Sequence, residues 1–280
     1  MLIVDAQLHV WGADTPERPW PAYGRGNAHR PVPFSKEDAL REMDAAGVNR
    51  AVLVPPSWEG DRNDLALEAA RLHPDRFAVM GRFTVDRATQ PALARWREQP
   101  GMLGLRFVYR PEMTWLYDDS AEWLWQACEE HALPVMMFAP NHLPAIDRLA
   151  ERHPRLKLVL DHMEMPHAKD AEATAHLPQL LAIARHANVA AKASSVPSHT
   201  SEPYPHRNMH DFLRQVFTAF GPRRFFWGTD LTGQPGTYRQ ALTMFTEELS
   251  FLSSADKEWV MGRGVCEWLR WPIDKAGSKA

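Results

Sequence analysis

Acidic, amide and imidazole side chains alternate along the first apolar run of the sequence, and these groups can activate water or hold a divalent metal. Residues 2–9 read LIVDAQLH, so a two-residue period places Asp5, Gln7 and His9 on one face of a strand. Each of these groups needs a hydrogen-bond partner or a metal when it is buried. The pattern predicts that this strand carries chemistry.

Two later apolar runs end in residues of the same kind, His162 and Asp230. Together with His9 they form a candidate centre that could ligate one divalent metal, Zn²⁺ or Mn²⁺, or activate a water. Other interpretations stay open at this point. His9 could be a core histidine bonded to a carbonyl, His162 a satisfied residue at a strand end, and Asp230 a helix N-cap.

Eight apolar runs alternate with helical segments, and this repeat would position the candidate residues. The runs cover residues 1–10, 50–55, 77–81, 102–108, 135–138, 156–160, 189–193 and 224–227. The helical segments between them cover residues 35–47, 65–72, 91–96, 121–131, 143–152, 177–186 and 212–220. Regular βα units without a glycine-rich phosphate loop predict an α/β fold with a single (β/α)8 TIM barrel over residues 1–273. A C-terminal extra helix is expected at 256–269, and a disordered tail at 274–280.

Active sites of such barrels lie at the carboxyl ends of the strands, so polar residues there are candidates for substrate binding. Arg106 is expected to bind a substrate carboxylate, although an acid of the protein could pair with it instead. The remaining candidates are Gln7, Arg82, Lys192, Asn63, Trp58 and Tyr204. For several of them a structural function is an equal alternative: Lys192 could pair with Asp161, and Asn63 could cap a helix.

Composition limits the range of partners. A net charge of -3 with dispersed basic residues gives no reason to expect a nucleic-acid partner. No apolar run approaches the roughly 20 residues that cross a bilayer, and the chain has 2 cysteines and no evident signal peptide. We therefore expect a cytoplasmic protein with a small-molecule substrate. The sequence leaves the oligomeric state open, a homo-oligomer included.

The ordered motifs along the chain resemble the amidohydrolase superfamily, and within it the lactonase-like group related to pyrone-dicarboxylate and sulfomuconolactone hydrolases. The motifs are residues 5–9 (DAQLH), 104–106 (GLR), 160–163 (LDHM) with Pro166, 192–194 (KAS) and 227–230 (WGTD). The family normally carries His-x-His in the first motif, whereas Gln7 stands here in place of the first histidine. A neutral amide is a poorer metal ligand than imidazole. Gln7 could instead donate a hydrogen bond to a developing oxyanion.

The resemblance implies a hydrolase that opens a small, carboxylate-bearing lactone, with Asp230 activating the water beside His9 and His162. Metal-dependent and metal-independent mechanisms are equally compatible with it. Two other functions stay open. One is a metal-dependent non-oxidative decarboxylase acting on an aromatic acid, and the other is a non-catalytic barrel subunit or small-molecule binder.

Overall fold

The protein is a parallel barrel in a computed structural model that describes residues 1–110 and 113–273. Eight strands neighbour one another in chain order. They are β1 (Val4–Leu8), β2 (Arg50–Leu53), β3 (Phe77–Arg82), β4 (Met102–Val108), β5 (Val135–Phe138), β6 (Leu158–Leu160), β7 (Val189–Ala193) and β8 (Phe225–Trp227). The predicted order of eight strands and the (β/α)8 fold are confirmed.

The helices lie between and after the strands. The α-helices of the described residues are α1 (Lys36–Ala46), α2 (Asp64–Leu72), α3 (Glu122–Glu130), α4 (Leu143–Arg152), α5 (Asp170–Thr174), α6 (Leu177–Ile183), α7 (His210–Phe220), α8 (Tyr238–Thr243), α9 (Ser254–Glu258) and α10 (Gly264–Leu269). Shorter 3₁₀ turns cover Ala22–Gly24, Ser57–Glu59, Thr114–Leu116, Asp119–Ala121, Asp161–Glu164, Val196–His199 and Arg207–Met209.

Local sequence signals explain where the first helix begins and ends. Ser35 accepts a hydrogen bond from the Asp38 amide, and the Asp38 carboxylate accepts one from the Ser35 amide, which together form a capping box. Gly47 ends the helix with a φ of 83°, a left-handed conformation that glycine adopts without strain. These signals determine where α1 begins and ends.

The barrel closes between β8 and β1, at the strand that carries the first predicted motif. The Asp230 amide donates to the Gln7 carbonyl at 2.9 Å. The Asp5 carboxylate accepts from the Thr229 amide at 2.8 Å and from the Tyr238 hydroxyl at 2.7 Å. A buried acid of β1 thus holds the segment that carries Asp230.

Asp5 corrects one sequence prediction, because it does not share a face with Gln7 and His9. The register between β1 and β2 shifts between Asp5 and Leu8, which breaks the strict two-residue alternation. Asp5 therefore faces Tyr238 on α8, outside the ring of strands, while Gln7 contacts His9 and Lys192.

The C-terminal segment closes the amino end of the barrel. Val265, Cys266, Trp268 and Leu269 pack against interior strand residues such as Val4. The single helix predicted at 256–269 is instead α9, a π-helical segment Trp259–Arg263, and α10. Another π-helical segment, Met244–Glu248, follows α8. With the amino end filled, the carboxyl end of the barrel is left for a site.

Two further predicted elements differ in detail from the observed ones. The segment before β4 is a 3₁₀ helix, Arg87–Glu98, with Pro91 inside it; proline removes an amide donor and disfavours a regular α-helix there. Strand β6 begins at Leu158 instead of residue 156. The tail predicted at 274–280 lies outside the described residues. Among the described helices, none combines the length and apolar character needed to cross a membrane.

Candidate active site

A cavity of about 400 Å³ lies at the carboxyl end of the barrel. Its floor includes His9 after β1, His162 after β6 and Asp230 after β8, so the structure brings the three predicted residues together. The walls include Trp58, Arg106, Phe138, His29, His167 and His199. Histidines and a single carboxylate dominate the polar lining, which suits proton transfer or metal binding.

Asp230 is the buried carboxylate at the centre of this cavity. Its side chain is 9% exposed, and its Oδ1 lies 3.1 Å from His9 Nε2. Oδ1 has no hydrogen bond of acceptable geometry among the described residues. Burial opposes ionisation, but the contact with His9 and the neighbouring rings of His162 and His29 outweigh it and hold the pKa of the Asp230 carboxyl below its usual range. Asp230 is therefore ionised at neutral pH.

The hydrogen bonds around His9 orient its imidazole. Nδ1 lies 2.5 Å from the Val54 carbonyl, which only accepts, so Nδ1 carries a proton. Gln7 Nε2, a donor, approaches His9 Nε2 at 3.3 Å. The unprotonated Nε2 therefore lies between the Gln7 amide and the anionic Asp230 carboxylate. A cation between His9 and Asp230 would satisfy both groups.

His29 completes a cluster that could hold a metal ion. Ligand atoms of His9, His29 and Asp230 all lie within 4.8 Å of one another. Burial lowers the pKa of His29 to about 4, so the ring is neutral at pH 7 and has a lone pair to offer. Two neutral imidazoles, a carboxylate and an open cavity fit a zinc site with three protein ligands. The residues present therefore fit a divalent metal, although the cluster differs from the predicted one by having His29 instead of His162.

His162 stands on the other side of Asp230. Its Nε2 is 4.0 Å from Asp230 Oδ2, and its Nδ1 is 2.8 Å from Ser194 Oγ. Burial lowers the pKa of His162 to about 3. Its φ of 54° belongs to a left-handed turn that also includes Met163. This strained backbone turns the imidazole toward the cavity.

Arg106 lines the cavity and also has an internal partner. Its Nε donates to Asp161 Oδ2 at 3.1 Å, so the alternative of a structural acid is realised. Lys192 Nζ lies 2.6 Å from Asp161 Oδ1 and donates to Gln7 Oε1 at 2.6 Å. Two cations therefore share one buried carboxylate. The part of the Arg106 guanidinium that faces the cavity adds positive charge beside Asp230.

Several predicted substrate-binding residues do not line this cavity. Gln7 and Lys192 are fully buried beneath it. Arg82 lines a neighbouring cavity, and Asn63 bonds to the Arg82 backbone. Tyr204 lies in a third cavity, where its hydroxyl is 2.8 Å from Thr243 Oγ1. Trp58 and Arg106 are thus the predicted contacts that remain beside the predicted centre.

Three histidines that line the cavity, His29, His167 and His199, are not part of the centre that the sequence predicts. All three lie in loops without helical or strand periodicity, so spacing could not place them. The signal that existed was the length and proline content of the loop after β1, which carries His29.

Comparison with known proteins agrees with the fold and with the predicted family. The family model described as Amidohydrolase matches residues 4–263. The chain belongs to this family, as the sequence motifs predicted.

Individual relatives extend this result. The chain is 27% identical to L-fucono-1,5-lactonase of Burkholderia ambifaria, over 95% of each chain. It is 26% identical to 4-sulfomuconolactone hydrolase of Hydrogenophaga intermedia, over 81% of this chain and 73% of that one. An amidohydrolase from Burkholderia multivorans with bound zinc shares the fold, with a TM-score of 0.80 and 21% identity over 97% of this chain and 100% of that one. The predicted similarity to lactonase-like amidohydrolases is confirmed.

Proposed function

We propose that the protein hydrolyses a small lactone in the cavity between His9, His162 and Asp230. The observation that carries this proposal is the buried, ionised Asp230 carboxylate, which faces a cavity with histidines on either side. The lactonase names of the relatives at 27% and 26% identity support the same substrate class. Arg106 on the cavity wall favours a lactone that carries a carboxylate or another anionic group.

Asp230 would act as the general base. It takes a proton from a water molecule as the water oxygen bonds to the lactone carbonyl carbon. The ring C–O bond then breaks, and the proton passes from Asp230 to the departing ring oxygen, which leaves an open hydroxy acid. The oxyanion that forms needs a hydrogen-bond donor, and His162 can supply one from Nε2 when its Nδ1 accepts from the Ser194 hydroxyl.

His9, His29 and Asp230 would hold one divalent ion. Two nitrogen donors and one carboxylate favour Zn²⁺, and Mn²⁺ is the alternative ion. Such an ion supplies Lewis-acid polarisation of the carbonyl when it is bound. Gln7 would not be a ligand, because Lys192 occupies its Oε1 and its amide nitrogen cannot coordinate a metal.

The test is hydrolysis of a panel of sugar lactones and carboxylated lactones by the wild type and Asp230→Asn. We expect a loss of about 10²–10⁴-fold in kcat/KM in Asp230→Asn, the range for a general base. Asp211→Asn on α7 is the matched control, since this acid is 66% exposed and pairs with Arg214. Equal rates for wild type and Asp230→Asn would reject the proposal.

The remaining alternatives give different results in the same experiment. A decarboxylase would release carbon dioxide from an aromatic acid in the presence of a bound metal and leave the lactones intact. A non-catalytic binder would bind ligands with and without Asp230 and turn over none of them.

A further inference from the structure

A second cavity, of about 500 Å³, lies beside the candidate active site. Arg82 at the end of β3 lines it, and its register partner on β4 is Arg106, which lines the first cavity. Val108 contributes to the walls of both cavities. The two cavities are therefore neighbours across one strand.

Arg82 is a buried cation that lacks a close acid among the described residues. Its side chain is only 7% exposed, and the nearest described carboxylate is Asp61, with Oδ1 3.7 Å from Nε. Among the described residues, neither Nε nor Nη1 of Arg82 has a hydrogen-bond partner. Asp61 is 39% exposed and also accepts from the Thr84 hydroxyl. A buried guanidinium with free donors is costly unless an anion binds it.

The surroundings of Arg82 add to the excess of positive charge. Burial and the nearby charge of Arg106 lower the pKa of Arg82 to about 10, and Arg110 acts in the same direction. The group still carries its proton at neutral pH. Arg87 and Arg110 line the same cavity, whereas Asp61 is the acid among its lining residues.

Aromatic side chains form the other walls of this cavity: Phe83, Phe107, Trp115 and Trp123. Two of these rings pack edge to face with a neighbouring ring. The ring centroids of Phe83 and Trp96, which lies behind the wall, are 5.5 Å apart, and those of Phe107 and Trp115 are also 5.5 Å apart. Flat apolar walls above a buried guanidinium suit a ligand with an apolar body and one anionic end.

We propose that this second cavity binds an organic carboxylate, with the carboxylate on Arg82 and the apolar body against the aromatic walls. The carboxylate could belong to a separate effector molecule or to the far end of a substrate that reaches the first cavity. Binding does not depend on the hydrolytic proposal, because no residue of the Asp230 centre takes part in it.

Benzoate is the probe, titrated by calorimetry into the wild type, Arg82→Gln and Asp230→Asn. We expect a Kd of about 1 mM or tighter for the wild type. Arg82→Gln should weaken binding by about tenfold or more, the effect of losing hydrogen bonds to a charged group. Asp230→Asn should bind as the wild type does, even if the lactonase proposal fails. Arg95→Gln, an arginine that is 79% exposed and pairs with Glu98, is the control for charge loss.

A second variant tests the proposal without removing Arg82. Asp61→Asn removes the acid that, among the described residues, competes for the guanidinium, so benzoate should bind severalfold more tightly than to the wild type. Absence of benzoate binding to the wild type, unchanged binding in Arg82→Gln, or weaker binding in Asp61→Asn would overturn the proposal. Competitive inhibition of lactone hydrolysis by benzoate would indicate the substrate's own carboxylate, and non-competitive inhibition would indicate an effector; either supports the site.

Discussion

Lys192 Nζ donates to Gln7 Oε1 at 2.6 Å, and this contact turns the Gln7 amide nitrogen toward His9. A lysine ammonium only donates, so the atom that it contacts must be the amide oxygen. The amide nitrogen then donates to His9 Nε2 and leaves that ring with its proton on Nδ1, at the Val54 carbonyl. The replacement of a histidine by Gln7 thus goes together with a buried lysine that fixes its orientation.

Replacement of Lys192 by methionine tests this arrangement. We expect Lys192→Met to lower the free energy of unfolding by about 3 kcal/mol, because Asp161 loses one of its two buried cations. Urea denaturation measures the change. The double variant Lys192→Met with Asp161→Asn should not regain the loss, since it leaves the buried Arg106 without its acid. Equal stability of the single variant and the wild type would contradict the assigned pairing.

The free energy of unfolding should depend on pH through the protonation of His162. Its native pKa of about 3 lies below the ordinary value near 6.5, so the unfolded chain binds a proton first as the pH falls. The stabilisation that His162 gives to the native state is complete above pH 6.5 and decreases as the pH falls toward 3. Between pH 7 and pH 5 this one group should cost about 2 kcal/mol of unfolding free energy.

The comparison with His162→Gln isolates this effect in chelator-treated protein. Burial raises the pKa of Glu164, and that carboxyl favours the native state at lower pH, which opposes the effect of His162 in the wild type. Both proteins contain Glu164, so subtracting their free energies of unfolding at each pH removes the contribution of Glu164. Parallel curves for the two proteins from pH 7 to pH 5 would show that His162 is not buried in its neutral form.

The period of the apolar runs was enough to predict the barrel, because each strand is buried on both faces and each is followed by a turn signal. The period failed at Asp5, where a change of register reverses the direction of one side chain. Sequence spacing does not reveal such a bulge, since its cause is the bonding of Asp5 to Thr229 and Tyr238, which are more than 220 residues away.

The predicted centre was placed correctly for residues at strand ends and less well for residues in loops. His9, His162 and Asp230 meet because the geometry of a barrel brings strand ends together. His29 joins them through the loop after β1, whose path depends on contacts such as His29 Nδ1 with Thr232 Oγ1. Arg82 sits at a strand end too, yet it lines a different cavity, and Asn63 before α2 bonds to the Arg82 backbone.

Gly233 allows His29 to approach Asp230, and its replacement should weaken metal binding. A Cβ at this position would lie 2.6 Å from His29 Cε1, so Gly233→Ala must displace the imidazole. If His29 is a ligand, zinc affinity measured by calorimetry should fall by about 10–100-fold, the effect of disturbing the support of a ligand. His29→Asn should give a comparable or larger loss.

The control for metal binding is His131→Asn, at the end of α3 and outside the candidate centre. It should bind zinc as the wild type does. Normal zinc affinity in both Gly233→Ala and His29→Asn would remove His29 from the ligand set. Activity that survives complete metal removal would favour the metal-independent mechanism.

Asn63 should be required for both the stability of the β3 end and the binding of an anion beside it. Its Oδ1 accepts from the Arg82 amide at 2.7 Å, and its Nδ2 donates to the Arg82 carbonyl at 2.9 Å. Asn63→Ala leaves both backbone groups without these partners, so we expect a loss of about 2 kcal/mol in urea denaturation. Benzoate should also bind several times more weakly, because the Arg82 backbone is no longer held. Gln215→Ala, a glutamine on α7 that donates to the Asp211 carboxylate, should change neither quantity. Wild-type benzoate affinity in Asn63→Ala would mean that Arg82 is positioned without this amide.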